Sequence, residues 1–389
     1  MILQRASRQF KIFYNSQKFS GVLLIACTLL SLYLANSALS ENYLSFWNND
    51  LFQVPDSLHL PASPVTIIND VLMAVFFLLV GLEIKRESKS GELSSFQRAS
   101  LPVAAALGGM LFPALIYLLF NFGSDTSSGW GIPMATDIAF ALGVLSLLGN
   151  RVPDALKVML TALAVADDLG AVLVIALFYS SGIQLYYLIA SGIVILGLYL
   201  LNRFKVNQLW PYLMLGCILW YLIHLSGIHA TISGVILAMT IPYDDKISND
   251  PLQRLEHALH LPVNNFIMPL FALANTAIVL QTSSWPAMLH DSSLGIITGL
   301  SLGKPIGITL LVWLAVKTKI SRLPSGIDFK HILGIGLLGG IGFTMSIFVS
   351  MLAFADPLLT DPSKLAILLA STLSGIFGFL FLKSVLKEH

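Results

Sequence analysis

The feature that most constrains this chain is a succession of long apolar runs, carried along 389 residues with few charges inside them. A bilayer core takes about 20 apolar residues per helix. Such runs fall near 20–36, 64–84, 100–120, 131–148, 155–178, 182–201, 209–225, 227–243, 261–281, 294–316, 330–355 and 364–384. Only 11% of the residues are charged, against roughly 25% in an ordinary soluble domain, so most of the chain has no water to face. Backbone polar groups in lipid must be satisfied within the structure. The expected fold is therefore an all-α polytopic membrane protein of twelve transmembrane helices, forming one domain over residues 1–389.

Lys and Arg accumulate in cytoplasmic connections, which gives an independent check on that count. Arg5, Arg8, Lys11 and Lys18 precede the first run, the connection 36–63 has no basic residue, and the next carries Lys85, Arg86, Lys89 and Arg98. The alternation continues through Arg151 and Lys157, Arg203 and Lys205, Lys246 and Arg254, then Lys317, Lys319, Arg322 and Lys330. Both termini are expected in the cytoplasm, and the run at 20–36 is expected to be an uncleaved first helix. The 36–63 connection is then external. Its LSFW and LFQV stretches flank Asn48, Asn49 and Asp50, a pattern that fits a small β-hairpin, with an irregular loop as the alternative. Cys27 and Cys217 both sit in apolar runs without metal-ligand spacing and are expected to pack. A net charge of +1 gives no surplus for a nucleic-acid partner.

Charges inside the runs are the informative ones. Lys304 lies in the middle of GLSLGKPIGI, Asp137 in GIPMATDIAFALG, and Asp167 with Asp168 at the centre of LAVADDLGAVL. Each charge at the bilayer centre costs at least ~2.5 kcal/mol and marks a cavity, a partner or a path. One ammonium against three carboxylates leaves an excess of negative charge, tolerable only if the site binds a cation or takes up protons. Those outcomes are alternatives, and competition of a proton with a cation for the same oxygens is what an exchanger needs. Hard oxygen ligands also suit alkali ions. Neighbouring residues of a helix point about 100° apart, so Asp167 and Asp168 are expected to divide roles, one holding a cation while the other pairs, for example with Lys304.

Two runs carry helix breakers: Gly131, Pro133 and Gly143 in the fourth, and Gly334, Gly336, Gly339, Gly340 and Gly342 in the eleventh, with Thr136 and Thr344 nearby. Interrupted helices at membrane depth are a device for binding ions at the midplane. The two interrupted runs hold matching places in two three-helix groups, about 100–180 and 294–386, that enter the membrane from opposite sides. That is the topology of an inverted repeat.

With these residues in place, the chain resembles the NhaA-type bacterial Na+/H+ antiporters, a family known for inverted-topology repeats. The resemblance runs through INDVLMAVFFLLVGLEIKRE, ATDIAFALGVLSLLGNRVP, ADDLGA, SGIHATISGV, RLEHALH, PLFALANTA, GKPIGI and GIGFTMSIF. It implies that Asp167 and Asp168 form the site for Na+ or Li+ and for protons. It also implies that Asp137 and Thr136 lie at the crossing of the interrupted helices and that Lys304 is an essential charge partner. A pH-sensing cluster is implied at Glu83, Arg86, Glu87, Glu256, His257 and His260, with Gln253 where a basic residue is expected. The implied activity is electrogenic exchange of Na+ or Li+ for H+ by alternating access, in the inner membrane, by a homodimer joined through the external loop.

No cofactor is expected, and the chain is not expected to be an enzyme. An intramembrane aspartyl protease built on Asp137 with Asp167 or Asp168 would leave Lys304 unexplained. The alternative within transport is a proton-coupled symporter of an organic solute, which twelve spans and buried acids also fit.

Overall fold

The computed structural model describes residues 17–53, 55, 58–180, 182–245, 250–280, 286 and 288–386, and these are helical, without a strand. Arg5, Arg8, Lys11 and Lys246 of the charge pattern lie outside the described residues. Among those described, seven helices are long and apolar enough to cross a membrane, or nine if two sharply bent pairs are each one span. This establishes a multi-pass membrane protein. The remaining expected spans, 209–225, 227–243 and 261–281, fall on shorter helices: Trp210–Leu225, Ile232–Thr240 and Met268–Asn275. Trp210–Leu225 fills its run, Ile232–Thr240 is preceded by turns at 226–231, and Met268–Asn275 continues directly from Pro251–Pro262 and the π-turn Val263–Ile267.

The chain divides into two compact units: Met1–Leu29, Ser95–Ala171 and Ile278–His389 form the first, and Leu30–Ser94 with Val172–Ala277 the second. The two three-helix groups expected as repeats fall mostly in the first.

In the first unit, helix Phe96–Asn121 packs along the segment Asp291–Lys317. Their backbones come into direct contact at Gly108 and Gly307, where a Cβ on either would overlap the other's carbonyl. Lipid offers no hydrophobic drive between helices, so small residues that permit such close approach supply the packing. The segment 291–317 is regular except at Gly299–Gly303, a π-turn whose end is marked by the Lys304 N–H bonding to the Gly299 carbonyl. Pro305 explains the irregularity, since it has no N–H to give to the carbonyl four residues back and its ring would clash there. One wide turn absorbs the mismatch. The same arrangement recurs in the second unit, where the π-turn Val263–Ile267 is followed by Met268 and Pro269.

The second unit is built on helix Met73–Ser90, approached closely by Ile232–Thr240 through Gly81 and Gly234. Leu78, Leu82, Tyr212, Leu219, Leu237 and Leu252 form its core. Helix Ile232–Thr240 ends on two side chains: Lys85 Nζ donates to the carbonyls of Met239 (2.8 Å) and Ile241, and Asn202 Nδ2 donates to that of Thr240 (2.6 Å).

One local expectation is overturned. Where a β-hairpin was expected over 36–63, Ser40–Asn48 is a helix. LSFW does not alternate, Phe46 and Trp47 being adjacent, and an isolated two-stranded hairpin is marginal in water, while Tyr43 and Trp47 stand four apart on one helical face and pack inward, their rings 5.9 Å apart. After the helix the backbone opens at Asn49, and the Leu51 N–H donates to the Ala62 carbonyl at 3.0 Å, tying the connection back on itself with no ladder among the described residues.

Candidate functional site

The first unit gathers Thr136, Asp137, Asp167, Asp168 and Lys304, every one of them at most 3% exposed. They arrive on separate elements. Asp167 and Asp168 lie midway along helix Asp154–Phe178. Lys304 opens helix Lys304–Lys317 immediately after the π-turn, with its stem against Gly109. Thr136 and Asp137 occupy the break between the 3-10 helix Ser127–Met134 and helix Ile138–Ser146.

A second break, Gly340 to Gly342, separates Phe329–Gly339 from Phe343–Ala353, which are bent by 50°. The donors of each break meet the acceptors of the other. The Asp137 N–H donates to the Ile341 carbonyl at 2.7 Å, and the Thr136 hydroxyl to the Gly339 carbonyl at 3.0 Å. In return, Asp137 Oδ2 accepts from the Thr344 hydroxyl and from the Thr344 N–H at 3.3 Å. Asp137 Oδ1 accepts from the Phe140 N–H at 3.0 Å, capping its own helix. The carboxylate therefore sits at the N-termini of two short helices, where unpaired N–H groups carry partial positive charge. Both of its oxygens are used. Ser346 Oγ adds a further link, donating to the Ile132 carbonyl at 2.8 Å.

Asp167 is placed differently. Its Oδ2 accepts from Lys304 Nζ at 3.0 Å, forming an ion pair in which both side chains are 1% exposed. The same ammonium donates to the Met134 carbonyl, at the carbonyl end of the 3-10 helix, where partial negative charge collects. Asp168 acts electrostatically on Lys304 as well. Asp167 Oδ1 is buried with no hydrogen-bond partner among the described residues. Buried polar atoms are nearly always satisfied, and a charged one left over is costly. An acceptor-only oxygen in this position can take a proton, the O–H of a water or a hard cation.

The cluster associated with pH lies in the second unit. Arg86 on helix Met73–Ser90 donates through Nε to both carboxylate oxygens of Glu256, at 3.0 and 3.2 Å, on helix Pro251–Pro262. Its Nη1 is 2.8 Å from Glu87 Oε1, whose other oxygen accepts the Glu92 N–H at 2.9 Å. Glu83 feels the charges of Glu256, Arg86 and Glu87, so three acids surround one guanidinium. His257 and His260 are exposed; His257 Nδ1 lies 2.8 Å from the carbonyl of Gln253 in its own helix. The structure thus joins Arg86 with Glu87 and Glu256; His260 feels the Glu256 charge, and neither imidazole forms an ion pair among the described residues.

Sequence reasoning missed the Met134 carbonyl, because every residue has one and only the break exposes it. It also missed the π-turn that sets the start of Lys304's helix, for which Pro305 was a signal.

Compared with known proteins, residues 11–382 match the family described as Na+/H+ antiporter 1. Two proteins of Flavobacterium johnsoniae are similar along nearly their whole length. Its Na(+)/H(+) antiporter NhaA 2 is 52% identical over 380 residues, covering 97% of this chain and 93% of that protein. Its Na(+)/H(+) antiporter NhaA 1 is 51% identical over 386 residues, covering 99% of each. The Na(+)/H(+) antiporter NhaA of Dechloromonas aromatica is also 51% identical, covering 97% of this chain and 96% of that protein. With the family matched along nearly the whole sequence and relatives at this identity, the chain belongs to the Na+/H+ antiporter 1 family.

Proposed function

We propose that this protein exports Na+, and Li+ by the same chemistry, in exchange for protons at the Asp167–Asp168 site. The observation that carries the reading is the buried Asp167 Oδ1, without a hydrogen-bond partner among the described residues, beside the Lys304 ammonium and with a second carboxylate next in sequence. Proton and cation compete for the same oxygens, so one leaves when the other binds. In the state described, Lys304 neutralises Asp167. Binding of Na+ displaces the ammonium from the carboxylate, and protonation of the acids releases the ion on the far side. The empty site, in which Lys304 neutralises only one of the two carboxylates, keeps a net negative charge that is too costly to carry through the membrane, so exchange is obligatory. Apparent Na+ affinity should weaken as pH falls, because each proton bound removes a ligand charge.

The same reading takes the chain as twelve spans in the bacterial inner membrane, with both termini cytoplasmic and the breaks at Thr136–Asp137 and Gly340–Gly342 as interrupted helices at membrane depth. Asp137 and Thr136 there brace the crossing, the site swinging open to each side in turn. Exchange of more proton charge than sodium makes transport electrogenic, each net charge gaining about 2.3 kcal/mol per 100 mV of membrane potential. The cluster around Arg86 tunes activity with pH, and the protein works as a homodimer. Membership of an antiporter family favours exchange over proton-coupled symport of an organic solute.

Vesicles holding a proton gradient test the function. Na+ should dissipate the gradient with the wild-type protein and not with Asp168→Asn, across the neutral to alkaline range. An equal response from both proteins overturns the site; no response to Na+ with a response to another solute overturns the function. Equal rates with and without a clamped potential would contradict electrogenicity.

A further inference from the structure

The helix Ser40–Asn48 follows the first membrane-crossing helix after only four residues and is bent from it by 115°. For a span along the membrane normal, that leaves the short helix about 25° from the membrane plane. At about 100° per residue, its side chains sort into two sectors. Tyr43 and Trp47 form the stripe packed on the protein: the Tyr43 hydroxyl reaches Ser31 Oγ (3.0 Å) and the Leu273 carbonyl (3.1 Å), and Trp47 is 7% exposed. Leu39 and Phe46 flank that stripe on one side and are uncovered, 56% and 55% exposed. Asn42, Ser45, Glu41 and Asn48 make up the opposite, polar arc, which begins beside Phe46, with Glu41, Asn42 and Asn48 exposed; half-buried Leu44 closes the apolar arc beyond the packed stripe. The apolar sector is therefore wider than the surface the protein covers, and the excess points sideways from a helix attached directly to the end of a span.

Such a helix, with one aromatic-rich flank and one polar flank, has the form of an interfacial amphipathic segment, and aromatic rings favour the level of the headgroups. We propose that Ser40–Asn48 lies in the boundary between lipid headgroups and acyl chains, with Leu39 and Phe46 in the lipid and Glu41, Ser45 and Asn48 facing water. Through Tyr43 it fixes the ends of helices Gln17–Ala35 and Met268–Asn275 at one membrane surface. The occupant of this surface is thus the bilayer and not a second copy of the chain pairing strand to strand.

Spin labels test this in the full-length protein reconstituted into phosphatidylethanolamine–phosphatidylglycerol vesicles, with Cys27 and Cys217 replaced by serine. Labels are placed one at a time by Phe46→Cys, Leu39→Cys and Glu41→Cys, and their collisions with dissolved oxygen and with a water-soluble nickel chelate are compared. The expected oxygen-to-nickel ratio is several-fold higher at positions 46 and 39 than at 41. A low ratio at both 46 and 39 overturns the proposal by placing that flank in water. Labels shielded from both reagents, with dipolar broadening between them, overturn it in favour of a second copy.

Discussion

Asp137 and Asp167 are both aspartates at 1% exposure in the same unit, yet their surroundings differ in kind. Asp137 has donors on both oxygens, drawn from two helix N-termini and the Thr344 hydroxyl. Asp167 has one oxygen on Lys304 and the other on nothing among the described residues. Burial alone therefore does not identify a transport carboxylate. What separates a brace from a binding group is whether its hydrogen-bonding capacity is used up by parts of the protein that must stay in place.

The largest effect that sharpens this contrast is on transport. Replacing Asp168 by Asn should reduce Na+-driven proton flux in vesicles to the protein-free background, whereas Asp137→Asn should slow it and leave Na+ dependence. Equal abolition would erase the distinction between brace and ligand. Next in size is the buried ion pair. Removing one partner of such a pair strands a charge and costs about 3–5 kcal/mol, so Lys304→Ala should sharply lower the midpoint of unfolding in detergent. Pairing Asp167→Asn with Lys304→Met should recover most of that stability and none of the transport.

The crossing of the two breaks predicts an intermediate loss. Thr344→Val removes a hydroxyl donor from a charged acceptor, worth about 1.5–3 kcal/mol, and should lower stability while half-saturation by Na+ stays unchanged. A shift in Na+ affinity would move Asp137 into the ion's own coordination. The smallest stability effect belongs to the second unit, where Arg86 and Glu256 are 33% and 14% exposed. Water screens such a pair, so Glu256→Gln should change stability by under about 1 kcal/mol. On the proposed pH role, the same variant shifts the pH profile of transport without lowering its maximum.

Much of the candidate site is legible in the letters, because a charge in an apolar run stands out whatever the fold. Asp137, Asp167, Asp168 and Lys304 are found that way, and Gly340, Gly342 and Pro133 mark the places where helices stop. What the letters hide is phase and partnership. Asp167 and Asp168 differ by one step on a helix, and only packing decides that the first meets Lys304, 137 residues away. The Thr344 link to Asp137 spans 207 residues and depends on two breaks facing each other. The letters of Ser40–Asn48 leave strand and helix open for a related reason, until Tyr43 finds Ser31 and Leu273.

The most direct test is proton release by the purified protein on addition of Na+ in lightly buffered detergent. The wild type should release protons, Asp137→Asn should still do so, and the double variant Asp167→Asn with Asp168→Asn should release none. Release that persists in the double variant, or that never occurs in the wild type, would contradict a site where Na+ and H+ compete for these two carboxylates.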